Sequence, residues 1–275
     1  MSAAARTSGS VLERPLAGRR IVLTRPYEQA GDFEERVRAM GGEPEIAPAI
    51  GIAPPDDTSA LDAALADVAR FEWILFTSAN AVRAFAGRMR ARGMKPQSLE
   101  ALRLAAVGPV TAAVLSSELR PPDAIAGTAN ASSLGEEVPV GPGSAVLVPH
   151  GDLADETLAD ALRSRGAIPH QALAYRTVPG EGVARIAAGV RGGRIDALLF
   201  ASGSAVRFVA GAVDLTQLRA AHGAHPRPAI FCIGPSTARV AAEIGWRVDG
   251  IASETTQPAL IDVMTRWFSE HHGSA

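Results

Sequence analysis

Cysteine is almost absent from this chain of 275 residues, in which Cys232 is the only one. A single cysteine excludes an internal disulfide framework and favours a reducing compartment. Cys232 lies in a short apolar run that is typical of a buried strand. We therefore expect its side chain to pack in the core as a small hydrophobe.

Net charge and long apolar runs are also lacking. The formal net charge is −2, which gives no electrostatic argument for a nucleic acid or an anionic membrane as a partner. No run approaches the roughly 18 apolar residues of a membrane span, and residues 1–15 have no signal-peptide core. We expect a soluble, cytoplasmic monomer with no nucleic-acid or membrane partner.

The common motifs of cofactor and metal chemistry are missing as well. No GxGxxG follows a strand, and neither GxxxxGK[ST] nor GxSxG occurs, so dinucleotide, nucleoside triphosphate and esterase sites lack their markers. Of the six histidines, His222, His225, His271 and His272 fall in predicted loops or in the tail. No metal-ligand spacing is present. We expect no cofactor and no metal.

What the chain does contain is one motif that occurs twice. Residues 230–233 predict a buried strand, followed by Gly-Pro-Ser-Thr at 234–237 and a helix that ends near Gly245. Residues 104–107 and the Gly-Pro-Val-Thr at 108–111 repeat this arrangement. The free amides at each helix start would attract an anion.

Further segments recur with a period of about 125 residues. The strands at 21–24 and 145–148 correspond, as do the strand–helix segments 71–85 and 195–209 and the helix starts in 126–134 and 252–260. Each copy alternates strand and helix, which indicates parallel sheets with helices on both faces. The predicted fold is α/β: two doubly wound parallel-sheet domains from an internal duplication, joined by a two-stranded β-ladder linker.

The linker prediction rests on two extended segments at equivalent places in the copies, residues 45–53 and 171–178. If they pair, domain 1 is discontinuous and combines residues 19–49 with 178–268, while domain 2 holds residues 52–173. Residues 1–18 are predicted to be a flexible tail.

Hydroxyl and amide groups gather at the predicted carboxyl ends of strands, where doubly wound folds bind ligands. One such residue alone is more simply interpreted as a helix cap. Many of them together favour an anion-lined cleft, to which we also assign the arginine that follows Thr24 and the histidine in the turn after residue 148. The candidate binding residues are Thr24, Arg25, Thr77, Ser78, Asn80, Thr111, His150, Ser202, Ser204, Ser236 and Thr237.

Tyr175, one of only two tyrosines, allows two interpretations. It is either a half-buried residue at the domain interface or a phenol that overhangs the cleft. Arg83 and Arg207 are interpreted as helix-surface residues. Glu72 and Asp196 precede their strands and are not expected to be catalytic.

In these segments the chain resembles the uroporphyrinogen-III synthase family over roughly residues 19–265. The resemblance rests on Leu23–Pro26, Phe76–Asn80, Val107–Thr111, Ala174–Thr177, Phe200–Ser204 and Ile233–Thr237. It implies two α/β domains joined by a two-stranded ladder, no cofactor, and a linear substrate, hydroxymethylbilane, with eight carboxylates. It depends on the order and spacing of the segments more than on any one of them.

Two departures from the family pattern affect the expected site. The turn that usually has Pro-Arg-Gly is Pro149-His150-Gly151 here, and Ala201 stands where a hydroxyl residue often precedes Ser202. Thr77 therefore has no partner in the second copy.

The family's reaction closes hydroxymethylbilane to uroporphyrinogen III with loss of water and inversion of the last pyrrole ring, in tetrapyrrole biosynthesis. Because the substrate also closes unaided to the uninverted isomer, the resemblance implies catalysis mainly by positioning. Tyr175 would then be the catalytic residue that donates a proton to the leaving hydroxyl. The alternatives are a non-catalytic, hinge-type binding protein for a small polyanion and another cofactor-free enzyme acting on anionic small molecules.

Overall fold

The computed structural model describes residues 14–216 and 228–271. His222, His225, His272 and the first 13 residues lie outside this range. The chain divides into two compact units, which we call unit 1 (Met1–Gly51 with Val178–Ala275) and unit 2 (Ile52–Thr177). No helix within the described ranges is both long and apolar enough to span a bilayer.

Strands and helices alternate through most of the described chain. The strands are β1 (Arg20–Leu23), β2 (Glu43–Ile46), β3 (Ile50–Ala53), β4 (Trp73–Phe76), β5 (Arg103–Ala106), β6 (Ala124–Ile125), β7 (Ala145–Gly151), β8 (Ile168–Pro179), β9 (Ala197–Phe200), β10 (Ala229–Cys232) and β11 (Gly250–Ile251). The α-helices are α1 (Phe33–Ala39), α2 (Ser59–Ala66), α3 (Ala79–Ala91), α4 (Pro109–Glu118), α5 (Ala131–Glu137), α6 (Thr157–Ser164), α7 (Gly182–Arg191), α8 (Gly203–Ala212), α9 (Pro235–Glu243) and α10 (Gln257–Glu270).

The strands form two sheets. One has the order β11-β10-β9-β1-β2, and all four of its pairings are parallel. The other has the order β3-β8-β7-β4-β5-β6, with parallel pairing from β8 through β6. The predicted α/β class with parallel sheets is therefore confirmed.

Each sheet is buried on both faces. Neighbouring residues of a strand point to opposite sides of the sheet, and in each unit the two sets of side chains belong to two different core clusters. In β1, Val22 belongs to one core cluster of unit 1, whereas Ile21 and Leu23 belong to another. In β4, Ile74 and Trp73 divide in the same way between the two clusters of unit 2. Two apolar layers per sheet require helices on both faces, as the alternating pattern predicted.

Two predicted segments differ in detail from the described structure. The segment 45–53 is not one strand but parts of β2 and β3, separated at Pro48, which has no N–H for a sheet ladder. Of the predicted tail, only residues 14–18 are described, and within them the Leu16 side chain is fully buried in a core cluster with Phe33 and Val37. The Leu16 N–H also donates to the Met40 carbonyl at 3.1 Å.

The sole cysteine gives a direct test of this packing. Cys232 is fully buried in the core of unit 1, and burial raises the pKa of its thiol to about 12. Because the thiolate is the reactive form, the native protein should not react with a thiol reagent at neutral pH, whereas the urea-unfolded protein should react with one equivalent. Rapid labelling of the native protein would contradict the buried position of β10.

Candidate active site

The predicted binding residues lie at the carboxyl ends of strands. In unit 2, Thr77 and Ser78 follow β4, Thr111 belongs to the first turn of the helix after β5, and His150 lies near the end of β7. Parallel neighbours β5, β4 and β7 bring these three strand ends to one edge of the sheet.

Unit 1 repeats this arrangement. Thr24 and Arg25 follow β1, Ser202 and Ser204 follow β9, and Thr237 lies in the helix after β10. These strands are adjacent and parallel, so their ends share an edge as well. Each unit thus presents one polar edge of the kind that binds ligands in doubly wound folds.

The two Gly-Pro-x-Thr turns begin α4 and α9 in the same way. In α4, the first amide that donates to a backbone carbonyl is that of Ala112, whose acceptor is the Gly108 carbonyl. In α9, it is that of Ala238, whose acceptor is the Gly234 carbonyl. The preceding amides of residues 110, 111, 236 and 237 have no acceptor among the described residues. The hydroxyl residues Thr111 and Thr237 are buried beside them. Both helix starts can therefore accept a carboxylate.

Some of the predicted binding hydroxyl groups already form hydrogen bonds within the protein. The Thr24 hydroxyl donates to the Leu199 carbonyl at 2.8 Å. Ser78 Oγ accepts the Ala81 N–H at 3.0 Å, and Ser202 Oγ accepts the Ala205 N–H at 3.2 Å. Helix capping thus accounts for one hydrogen bond of each serine. Each serine keeps its own O–H for another acceptor.

Arg25 is a cation at the unit 1 edge. It is partly buried and forms no ion pair with any residue that the structure describes, and this burial lowers the pKa of its guanidinium. A guanidinium keeps its charge throughout the physiological range. A partly desolvated, uncompensated cation favours an anionic ligand.

Tyr175 has a closely defined environment in unit 2. Its hydroxyl lies 3.2 Å from Ser78 Oγ. The β7–β8 register shifts between His150 and Gly151, so that Gly151 lies opposite Tyr175, and the Tyr175 carbonyl accepts the Asp152 N–H at 3.2 Å. A Cβ at Gly151 would lie only 2.4 Å from the phenol Cζ and 2.7 Å from its hydroxyl oxygen. Only glycine leaves room for the ring there.

The Ser78 contact orients the phenol. Because Ser78 Oγ already accepts an amide hydrogen, its O–H can be donated to the Tyr175 oxygen. The phenol hydrogen is then free to point toward a ligand. This arrangement suits a proton donor.

His150 replaces the arginine that the family resemblance led us to expect. Its Nδ1 lies 2.9 Å from the Gly151 carbonyl oxygen, so the tautomer with hydrogen on Nδ1 can donate there. Together with Thr77, Asp155 and Gln171, it lines a cavity of about 200 Å³. This short side chain can still take part in a polar site at the edge of unit 2.

A larger cavity of about 410 Å³ lies in unit 2 beside Tyr175 and was not predicted. Asn80 and Tyr175 line it, but so do Arg83 and Arg88, the first of which we had interpreted as a helix-surface residue. The sequence feature that could have indicated this cavity is the helical spacing of residues 80, 83, 84, 87 and 91, which places them on one side of α3.

Comparison with known proteins identifies the family. The model for uroporphyrinogen-III synthase HemD matches residues 31–262. The uroporphyrinogen-III synthase of Synechococcus elongatus is 31% identical over 268 residues, which cover 93% of this chain and 97% of that protein.

Two crystal structures share the fold. A mutant uroporphyrinogen III synthase from Thermus thermophilus is 22% identical, with a TM-score of 0.58 over 92% of this chain and 100% of its own. The uroporphyrinogen-III synthetase of Helicobacter pylori is 17% identical, with a TM-score of 0.59 over 90% of this chain and 99% of its own. With two α/β units, polar strand ends and a match over most of its length, the chain belongs to the uroporphyrinogen-III synthase family.

Proposed function

We propose that this protein is a cofactor-independent, cyclising hydro-lyase that converts hydroxymethylbilane to uroporphyrinogen III in tetrapyrrole biosynthesis. Membership of the family is the observation that carries the proposal. The strand-end amides and the oriented phenol supply the chemistry that such a reaction needs. A cyclisation of an intrinsically reactive substrate requires positioning above all, and positioning can lower a barrier without any cofactor.

The proton transfers balance around Tyr175. Its O–H donates a proton to the terminal hydroxyl of the substrate, which leaves as water and produces an electrophilic, protonated azafulvene and the Tyr175 phenolate. The last pyrrole ring attacks through its substituted carbon, and the spiro intermediate breaks and recloses with that ring inverted. The proton lost when the ring regains aromaticity restores the phenol. Ser78 holds the Tyr175 oxygen during these steps.

Carboxylates of the substrate are assigned to the amides and polar side chains at the strand ends. Backbone amides at helix starts bind anions without a formal charge, which suits a protein whose net charge is −2. Arg25 adds a charged contact. The proposed binding residues are Thr24, Arg25, Thr77, Ser78, Asn80, Thr111, His150, Ser202, Ser204, Ser236 and Thr237.

Thr237→Ala is expected to raise KM for hydroxymethylbilane about tenfold, because it removes one hydroxyl donor to a charged group. The amides of α9 remain, so kcat should change little. Thr265→Ala is the matched control, because the Thr265 hydroxyl bonds within its own helix. Equal KM values for wild type and Thr237→Ala would contradict the role of this hydroxyl.

The decisive assay supplies hydroxymethylbilane and measures the ratio of the III isomer to the I isomer. The proposed enzyme yields the III isomer. A non-catalytic polyanion-binding protein, the second candidate from the sequence, leaves only the I isomer from spontaneous closure. Only the I isomer in the presence of folded protein would overturn the proposal.

We further propose that the protein acts as a cytoplasmic monomer whose two units arose by duplication. The single cysteine supports a reducing compartment. The paired Gly-Pro-x-Thr turns at the starts of α4 and α9 support the duplication. Light scattering on the purified protein tests the monomeric state.

A further inference from the structure

The 410 Å³ cavity of unit 2 has one apolar wall and one polar wall. The apolar wall comes from Pro54, Pro55, Leu61, Ala84 and Ala174. The polar groups are concentrated on α3, where Asn80 and Arg83 lie one turn apart, and the Tyr175 ring completes the lining. A small, flat, mostly apolar group with one anionic arm matches these walls.

The cations around this cavity are not balanced by anions. Asp62 accepts from Arg88 Nε at 2.6 Å and lies 3.3 Å from an Arg92 nitrogen, and the Arg88 hydrogen bond lowers the pKa of Asp62 to about 2. One ionised carboxylate therefore serves two arginines. Arg176 pairs separately with Asp56 at 2.8 Å.

Arg83 has no such partner. It lines the cavity, and it forms no ion pair or hydrogen bond with the residues in ranges 14–216 and 228–271. Its neighbour Asn80 is also without a hydrogen-bond partner for its side-chain amide in those ranges. The local excess of positive charge thus falls on Arg83, and the neutral Asn80 amide beside it can add a hydrogen-bond donor for the same ligand.

We propose that this cavity binds the terminal pyrrole ring that carries the leaving hydroxyl, with one of its carboxylate arms on Arg83 and Asn80. The inference rests on the proposed function. The ring lies against Ala84 and Ala174, and its hydroxyl faces the Tyr175 phenol in the same cavity. Arg83 is thereby a binding residue that acts beside the proton donor.

The test compares four variants with wild type in hydroxymethylbilane turnover, with folding checked by circular dichroism. Arg83→Gln should raise KM about tenfold, because it removes one charge-assisted hydrogen bond to the substrate. Its kcat should stay within about twofold of the wild-type value. Arg83→Lys retains the charge and should stay within about threefold of wild type. Ala84→Phe fills the apolar wall and should also raise KM.

Arg90→Gln is the matched control. It removes the same charge from the same helix, but Arg90 is paired with Glu118 at 2.8 Å outside the cavity, so its KM should not change. Unchanged KM values for both Arg83→Gln and Ala84→Phe would overturn the cavity assignment. An equal rise for Arg90→Gln would overturn it as well, because the effect would then be general charge attraction.

Failure of this inference is distinguishable from failure of the proposed function. If the cavity is not used, wild type and all variants still yield the III isomer with the same KM. If the proposed function is wrong, wild type itself yields only the I isomer.

Discussion

Tyr175→Phe is expected to lower kcat for uroporphyrinogen III formation about 100-fold, the low end of what a positioned general acid contributes. The substitution removes only the hydroxyl that lies 3.2 Å from Ser78 Oγ and leaves the ring that packs on Gly151. The substrate walls stay in place, so KM should change little. Single-turnover kinetics with hydroxymethylbilane would measure the chemical step directly.

The chain provides its own control for this experiment. Tyr27 is the other tyrosine, more than half exposed, and its hydroxyl donates to the Ile46 carbonyl at 3.2 Å. Tyr27→Phe removes the same atom from unit 1 and should retain wild-type turnover. Activity of Tyr175→Phe within twofold of wild type would refute the assignment of Tyr175 as proton donor.

Gly151→Ala is expected to lower kcat by a similar amount, although position 151 carries no side chain. A methyl group there would lie 2.4 Å from the phenol Cζ, a distance that non-bonded atoms do not reach, so the ring must move. A shift of about 1 Å in a reacting group can cost about 100-fold in rate. In a protein labelled with 3-fluorotyrosine, the Tyr175 fluorine resonance should therefore shift.

Two comparisons isolate the cause. Gly141→Ala adds a methyl group where no atom lies within 4 Å, so it should affect neither rate nor spectrum. In a Tyr175→Ala background, Gly151→Ala should cause no further loss, since the ring that it displaces is gone. Additive losses in the double variant would show that Gly151 acts on something other than Tyr175.

The sequence predicted the features that depend on local pattern. Apolar runs followed by Gly-Pro-x-Thr are enough to predict a buried strand and a helix start, and the structure has both at β5–α4 and at β10–α9. The assignment of Cys232 to the core was equally local and agrees with its complete burial.

Features that depend on distant contacts were not predictable in this way. Leu16 is buried because Phe33 and Val37 pack against it, and nothing within residues 14–18 indicates that. The cavity beside α3 is closed on one side by residues 52–55, which are distant from the helix in sequence. The pattern of α3 alone therefore predicted Arg83 to be an ordinary surface residue. The requirement for glycine at 151 likewise comes from a ring that lies 24 positions further along the chain.

The double use of Ser78 restricts how this family member can change through evolution. Its oxygen holds the first turn of α3 and also contacts the phenol of Tyr175. Replacing Ser78 by another capping residue would preserve the start of α3 but change its contact with the Tyr175 phenol. Replacing Ser78 to change that contact would remove the cap and destabilise α3. Selection for a stable protein and selection for a fast one therefore act on the same atom.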